Sequence, residues 1–134
     1  MTAKEYLTQY RTLNDSINAK LGQVAELRRK AQTAGGGSSD GARSPQPYDC
    51  IGEITAKICD REAEINREID ALVELQREIS AKIARVDDSR LRLLLELRYL
   101  NCMTFERVAV AMNYSYMQVC RLHGRALAAF AEKM

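Results

Sequence analysis

The residues of this chain best suited to chemistry gather near its C-terminus, in Ser115-Tyr116-Met117-Gln118-Val119-Cys120-Arg121-Leu122-His123-Gly124-Arg125. A guanidinium carries N–H donors in a fixed fork that matches guanine O6 and N7, or the oxygens of a phosphate. If Ser115 caps a helix here, Val119, Leu122, Ala126 and Phe130 recur at intervals of three and four and mark its buried stripe. The opposite face then holds Tyr116, Met117, Cys120, Arg121 and Gly124, with Arg125 on the flank. On that face Arg121 suits a guanine and Arg125 a phosphate. Tyr116 and Met117 offer apolar surface to a thymine methyl group, or a hydroxyl to a phosphate. Gly124 allows close backbone approach, at a helix cost of about 1 kcal/mol. Ser115, Tyr116, Met117, Cys120, Arg121, Gly124 and Arg125 are therefore the candidate DNA-contacting residues.

Other chemistry is not signalled. No nucleophile–base pair, metal cluster or phosphate loop is legible, and the single His123 has no obvious carboxylate partner. Cys50, Cys59, Cys102 and Cys120 form no Cys-x-x-Cys pair and read as reduced thiols. The expectation is a protein that is not an enzyme and carries no cofactor or metal.

The element before the candidate helix completes a recognisable frame. Thr104 opens a helix that breaks at Asn113, a residue that tolerates the left-handed conformation. Small Ala109, Asn113 four positions on, then Val119 and Leu122 three apart have the spacing of a helix-turn-helix. Asp88 caps a preceding helix, Ser89–Leu100, whose Leu91, Leu94, Leu95, Leu97 and Leu100 form a broad apolar face suited to lying beneath that pair.

The remainder reads as two long helices. A Thr2-x-x-Glu5 capping box opens the first, over residues 2–33, with a seam of Tyr6, Tyr10, Leu13, Ile17, Val24 and Leu27. Leu21 lies beside that seam and Lys20 takes a position the pattern would give to an apolar residue. Residues 34–47, rich in Gly, Ser and Pro, read as a flexible linker whose glycines and prolines exclude a helix. Over 48–86, Ile51, Ile58, Ile65, Leu72, Ile79 and Val86 recur every seven residues, with Ile54, Ile69, Leu75 and Ile83 in adjacent seam positions. Arg61, Glu68 and Lys82 interrupt the seam. A strict heptad implies a left-handed coiled coil, and the charged interruptions read as register devices. A linker of this composition reaches about 20 Å, enough to fold 2–33 back antiparallel on 48–86 at a helix spacing of about 10 Å. One stripe per helix is little to bury, so a homo-oligomer, a dimer by preference, is expected. The chain is thus expected to be all-α: a coiled-coil helical hairpin over 1–86, then a helix-turn-helix DNA-binding domain over 87–134.

Composition agrees with a soluble helical protein. Apolar residues make up 46% and charged residues 28%, and no apolar run approaches the roughly 20 needed to span a bilayer. The first residues lack the apolar core of a signal peptide, so a cytoplasmic location without membrane contact is expected. The net charge of +2 divides unevenly. Residues 1–86 carry 13 basic and 13 acidic side chains, whereas 87–134 carry seven basic against five acidic.

The run Leu94-Leu-Glu-Leu-Arg-Tyr-Leu-Asn-Cys-Met-Thr-Phe-Glu-Arg-Val-Ala-Val-Ala-Met-Asn-Tyr-Ser, with the later Arg125-Ala126-Leu127, resembles region 4 of the sigma-70 family. Over nearly its whole length the chain resembles small sigma-70 region-4-like helix-turn-helix transcriptional regulators encoded by phages and prophages of Gram-positive bacteria. Its Met-Thr-Ala-Lys-Glu-Tyr-Leu start and its Arg-Leu-His-Gly-Arg-Ala-Leu end carry that likeness. The resemblance implies a phage regulator acting in the bacterial cytoplasm, an activator of late genes, with double-stranded DNA and host RNA polymerase as partners. It departs from the family pattern where Tyr116, Met117 and Cys120 replace residues that are often basic, and no segment resembles the sigma region that melts promoter DNA. Two other functions remain open on sequence: a small terminase subunit of a DNA-packaging machine, and a coiled-coil interaction protein.

Overall fold

The computed structural model describes residues 1–36 and 47–134, with the side chains of residues 34–36 and 47–50 left aside. Every regular element among the described residues is helical, as the spacing predicts. Helix α1 spans Ala3–Gly36, α2 Pro47–Ile83, α3 Ser89–Leu95, α4 Phe105–Met112 and α5 Tyr116–Lys133, with a π-helical turn Glu96–Leu100 between α3 and α4. The Thr2 capping box forms: the Glu5 N–H donates to Thr2 Oγ1 and the Thr2 N–H to Glu5 Oε2, each at 3.2 Å. The predicted linker, 34–47, lies mostly outside the described residues. Its first three residues continue α1, and Pro47 opens α2. A proline at the first helical position loses no hydrogen bond, because that N–H has no intrahelical partner anyway.

The chain divides into two compact units, one of Met1–Asn14 with Ala71–Met134 and one of Asp15–Asp70. This division does not follow the boundary at 86/87 expected from the sequence. The reason is burial. Leu7 from α1, Ile79 and Ile83 from the end of α2 and Val86 just beyond it share one core with Leu94, Leu95, Val108, Val119 and Phe130. Heptad periodicity reports which residues face inward, but not which partner they face.

Within the unit Asp15–Asp70, Ile17 and Val24 of α1 and Ile58 and Ile65 of α2 are buried. Lys20, the polar interruption of the first seam, meets Glu68, an interruption of the second, with Nζ–O 2.7 Å. Lys20 also reaches Glu64 at 3.3 Å, Ser16 donates to Glu68, and Arg28 pairs with Glu62 at 2.8 Å. Partners therefore descend along α2 as they ascend along α1. Such partly exposed pairs add little stability. They do match the polar interruptions of the two seams to each other, as register-setting charges in a helical pair do.

In the other unit the helices α3 and α4 have seven and eight residues, too short to persist alone. Packing holds them. Phe130, Leu94, Leu95, Val108 and Val119 are fully buried, each side chain of this size contributing roughly 1.5–3 kcal/mol. Tyr6 stacks on Phe130 with ring centroids 6.0 Å apart, and Lys82 Nζ sits 4.3 Å above the Tyr6 ring. Arg92 closes the α2–α3 connection by donating to the carbonyls of Val86 and Asp87. Asp88 caps α3 as expected, its carboxylate accepting from the Arg90 N–H at 2.9 Å.

The expected continuous helix Ser89–Leu100 instead widens into the π turn, where the Asn101 N–H reaches Glu96 O, five residues back, at 2.9 Å. Cys102 then adopts φ 56°, and the Met103 N–H closes the turn on Leu97 O at 3.1 Å. No glycine or proline announces this reversal. It is held by Arg98, which donates to Met103 O at 2.9 Å.

The Tyr6 hydroxyl is buried with no hydrogen-bond partner among the described residues. An unsatisfied buried hydroxyl costs about 1–3 kcal/mol. Tyr6→Phe keeps the stack on Phe130 and the contact with Lys82, so it is expected to raise the melting temperature by the equivalent of about 1 kcal/mol in calorimetry. A lowered melting temperature would mean that the hydroxyl is bonded.

Candidate nucleic-acid interface

The candidate helix is set by two caps and a turn. Thr104 opens α4, its Oγ1 accepting from the Arg107 N–H at 3.2 Å. Val108 and Ala109 bury the inner face of α4. The helix ends on Asn113 in the left-handed region, φ 62° and ψ 41°, as its residue type suggests. The Tyr114 N–H reaches back to Ala109 O at 2.9 Å. Ser115 then opens α5 with a full capping box: the Gln118 N–H donates to Ser115 Oγ at 3.1 Å and the Ser115 N–H to Gln118 Oε1 at 2.8 Å.

The expected buried stripe of α5 is the observed one: Val119, Leu122, Ala126 and Phe130. At about 100° per residue, Met117, Arg121 and Gly124 point directly away from it. Met117 is 62% exposed, and a Cβ added at Gly124 would meet nothing within 4 Å. No internal packing requires a glycine there. Arg125 and Gln118 lie to one side of this outward strip, Tyr116 and Cys120 to the other.

Each side carries its own cations. Arg121 and Arg125 line a hollow of about 210 Å³ with Arg90, Tyr114, Gln118 and Leu122. Like charges four apart on a helix repel, and neither arginine has an ion-pair partner among the described residues. Arg90 does have one, Asp88 at 3.3 Å, and its guanidinium holds the Asp88 carboxyl below the usual range. On the other side Lys4 and Arg11 of α1, with Arg98, line a second hollow together with Thr8, Tyr99, Phe105 and His123.

Of the seven sequence-derived residues, all are exposed along the first half of α5. Three are partly committed within the protein. Ser115 Oγ is occupied by the cap. Tyr116 lies edge-on to Phe105, 6.5 Å between centroids, and its hydroxyl pairs with Cys120, which pushes its pKa up. Met117, Arg121, Gly124 and Arg125 remain free to meet a ligand. Sequence reading missed Lys4, Arg11, Arg90 and Arg98. Lys4, Thr8 and Arg11, at steps of four and three, give a one-sided polar face, but nothing in that spacing says it lies beside α5.

His123 is half-buried at this second side. Its Nε2 lies 2.6 Å from Tyr99 Oη and its ring 4.9 Å from that of Phe105. Burial, then the charges of Arg98 and Lys4, push its pKa down, while burial pushes the Tyr99 phenol up. Basic side chains outnumber acidic ones twelve to eight in the unit that holds these residues, against eight to ten in Asp15–Asp70.

Comparisons with protein-family models, with curated proteins and with solved structures found no match for the chain.

A depressed histidine pKa means that the unfolded chain binds the proton more readily than the folded one. The stability it confers is complete above the unfolded value of about 6.5 and is lost as pH falls from there toward the folded value. The melting temperature should therefore drop between about pH 7 and pH 5, and His123→Gln should drop less over the same window. Parallel curves for the two proteins would show that His123 titrates as it does in the unfolded chain.

Proposed function

We propose that the protein is a sequence-specific double-stranded-DNA-binding transcription regulator in which α4, the Asn113 turn and α5 act as a helix-turn-helix. Helix α5 enters the major groove. The observation that carries this reading is the outward strip of α5, Met117, Arg121 and Gly124, flanked by Arg125 on one side and by Lys4 and Arg11 on the other, none of which has an ion-pair partner among the described residues. A groove-bound helix needs base-reading side chains at its centre and phosphate contacts on either side. Arg121 reads a guanine, Arg125 and Arg90 meet one backbone strand, and Gly124 lets α5 sit deep.

The resemblance to phage region-4-like regulators supports the same reading and adds its setting: the bacterial cytoplasm, late-gene activation, and RNA polymerase as protein partner. The opposed helices of Asp15–Asp70 are read as an antiparallel coiled-coil hairpin. Leu21 and Ile69 remain 48% and 39% exposed on it, apolar surface that a second copy would cover. A dimer presents two heads to paired half-sites about one helical turn apart, or a multiple of it.

Selection of bound duplexes from a random library, with sedimentation equilibrium of the free protein, tests this function. A defined motif in two spaced halves and a dimeric mass are expected; a library that shows no enrichment overturns sequence-specific binding.

Two substitutions probe the strip separately. Arg121→Ala should weaken the preferred duplex by about 1–3 kcal/mol and relax preference at one base position. Uniform weakening on all duplexes would make Arg121 a phosphate contact. Gly124→Ala should stabilise the helix by about 1 kcal/mol while weakening DNA binding. Tighter or unchanged binding in that variant would place the DNA away from Gly124.

A further inference from the structure

The hollow beside His123 has properties of its own. Its volume is about 250 Å³, below the roughly 300–1,000 Å³ of pockets that take whole organic ligands. Lys4, Arg11 and Arg98 bring three positive charges to its wall, and no carboxylate lines it among the described residues. Neither Lys4 nor Arg11 has an ion-pair partner among the described residues. Arg98 is fixed rather than free-swinging: it donates to Met103 O at 2.9 Å and its guanidinium lies 4.2 Å over the Phe105 ring. The remaining wall is polar and ordered, with Tyr99 bonded to His123 and the Thr8 hydroxyl donating to Lys4 O.

Three cations held around one small hollow repel each other, and none of the residues that line it is a carboxylate to offset that repulsion. An oxyanion does so with charge-assisted hydrogen bonds, which are shorter and stronger than neutral ones. We propose that this hollow is a binding site for a single phosphate group, held by Lys4, Arg11 and Arg98. Phe105 and the Tyr99–His123 pair form its back wall. The phosphate belongs either to the DNA backbone or to a free phosphorylated small molecule, and the recognition chemistry is the same. With the first source, the N-terminal turns of α1 contact the strand opposite the one met by Arg90 and Arg125; that source rests on the DNA-binding reading, and the second does not.

His123 is the single histidine of the chain, so its imidazole resonances are an unambiguous reporter. An anion in the hollow cancels the field of Arg98 and Lys4 and raises the His123 pKa toward its ordinary value. The experiment titrates the intact protein with inorganic phosphate, with chloride at matched ionic strength, and with a duplex, following His123 by NMR. Lys4→Gln and Arg11→Gln, both at exposed positions, serve as variants, and each helix is checked by circular dichroism.

Saturable phosphate binding that moves His123, is not reproduced by chloride, and weakens about tenfold in either variant supports the site. If duplex and inorganic phosphate compete, the backbone is the source. If phosphate binds and the duplex does not displace it, the source is a small molecule. Binding of phosphate with no duplex binding at any salt leaves the site standing and removes the DNA reading. Duplex binding that leaves His123 unmoved and is unchanged in both variants, together with no saturable binding of inorganic phosphate, does the reverse. A His123 response that is linear in phosphate, or equal with chloride, overturns the site.

Discussion

Burial of the α5 stripe is the constraint on which this unit depends. Helices of seven and eight residues have no stability of their own, so α3 and α4 exist only because Val119, Leu122, Ala126 and Phe130 give them something to cover. That stripe is itself finished by distant chain. Tyr6 closes over Phe130, and Leu7, Ile79 and Ile83 are fully or almost fully enclosed in the same core. Residues from both ends of the sequence are thereby locked into one body. The cations of α1 stand beside α5 for that reason, not through any attraction to it.

The same packing explains how the exposed strip can bear unfavourable features. Arg121 and Arg125 repel each other, Gly124 weakens its helix, and Met117 is largely in solvent. None of these helps folding. A stripe as fully buried as that of α5 tolerates them, so folding places few demands on the outward surface. Conversely, Tyr116 is tied to Phe105 and to Cys120, at the edge of the strip rather than at its centre.

Much of this was legible in the sequence because it is local. Caps depend on residues two or three apart, so Thr2, Asp88, Thr104 and Ser115 identify themselves. Asn113 marks its turn, and the period of α5 marks its stripe. What was not legible is either non-local or unsigned. The π turn and the left-handed Cys102 use no glycine or proline, since Arg98 and backbone bonds hold them. The grouping of Met1–Asn14 with Ala71–Met134 was not legible either, because a heptad seam reads the same whether it faces a neighbouring helix or a separate core. Lys4 and Arg11 look like a solvated face until Leu7, on the other side of that turn, is seen to be buried.

On the function proposed above, α5 and the cations on its two sides meet the DNA backbone together. The most direct measurement is the salt dependence of affinity for a preferred duplex. Six contacts from Lys4, Arg11, Arg90, Arg98, Arg121 and Arg125 correspond to a slope of log affinity against log salt of about −5, less by about one if Arg121 spends itself on a base. A slope in that range, shallower by about two when Lys4 and Arg11 are both changed to glutamine, is the predicted result. Binding too weak to measure at low salt, or a slope that ignores those two residues, would contradict it.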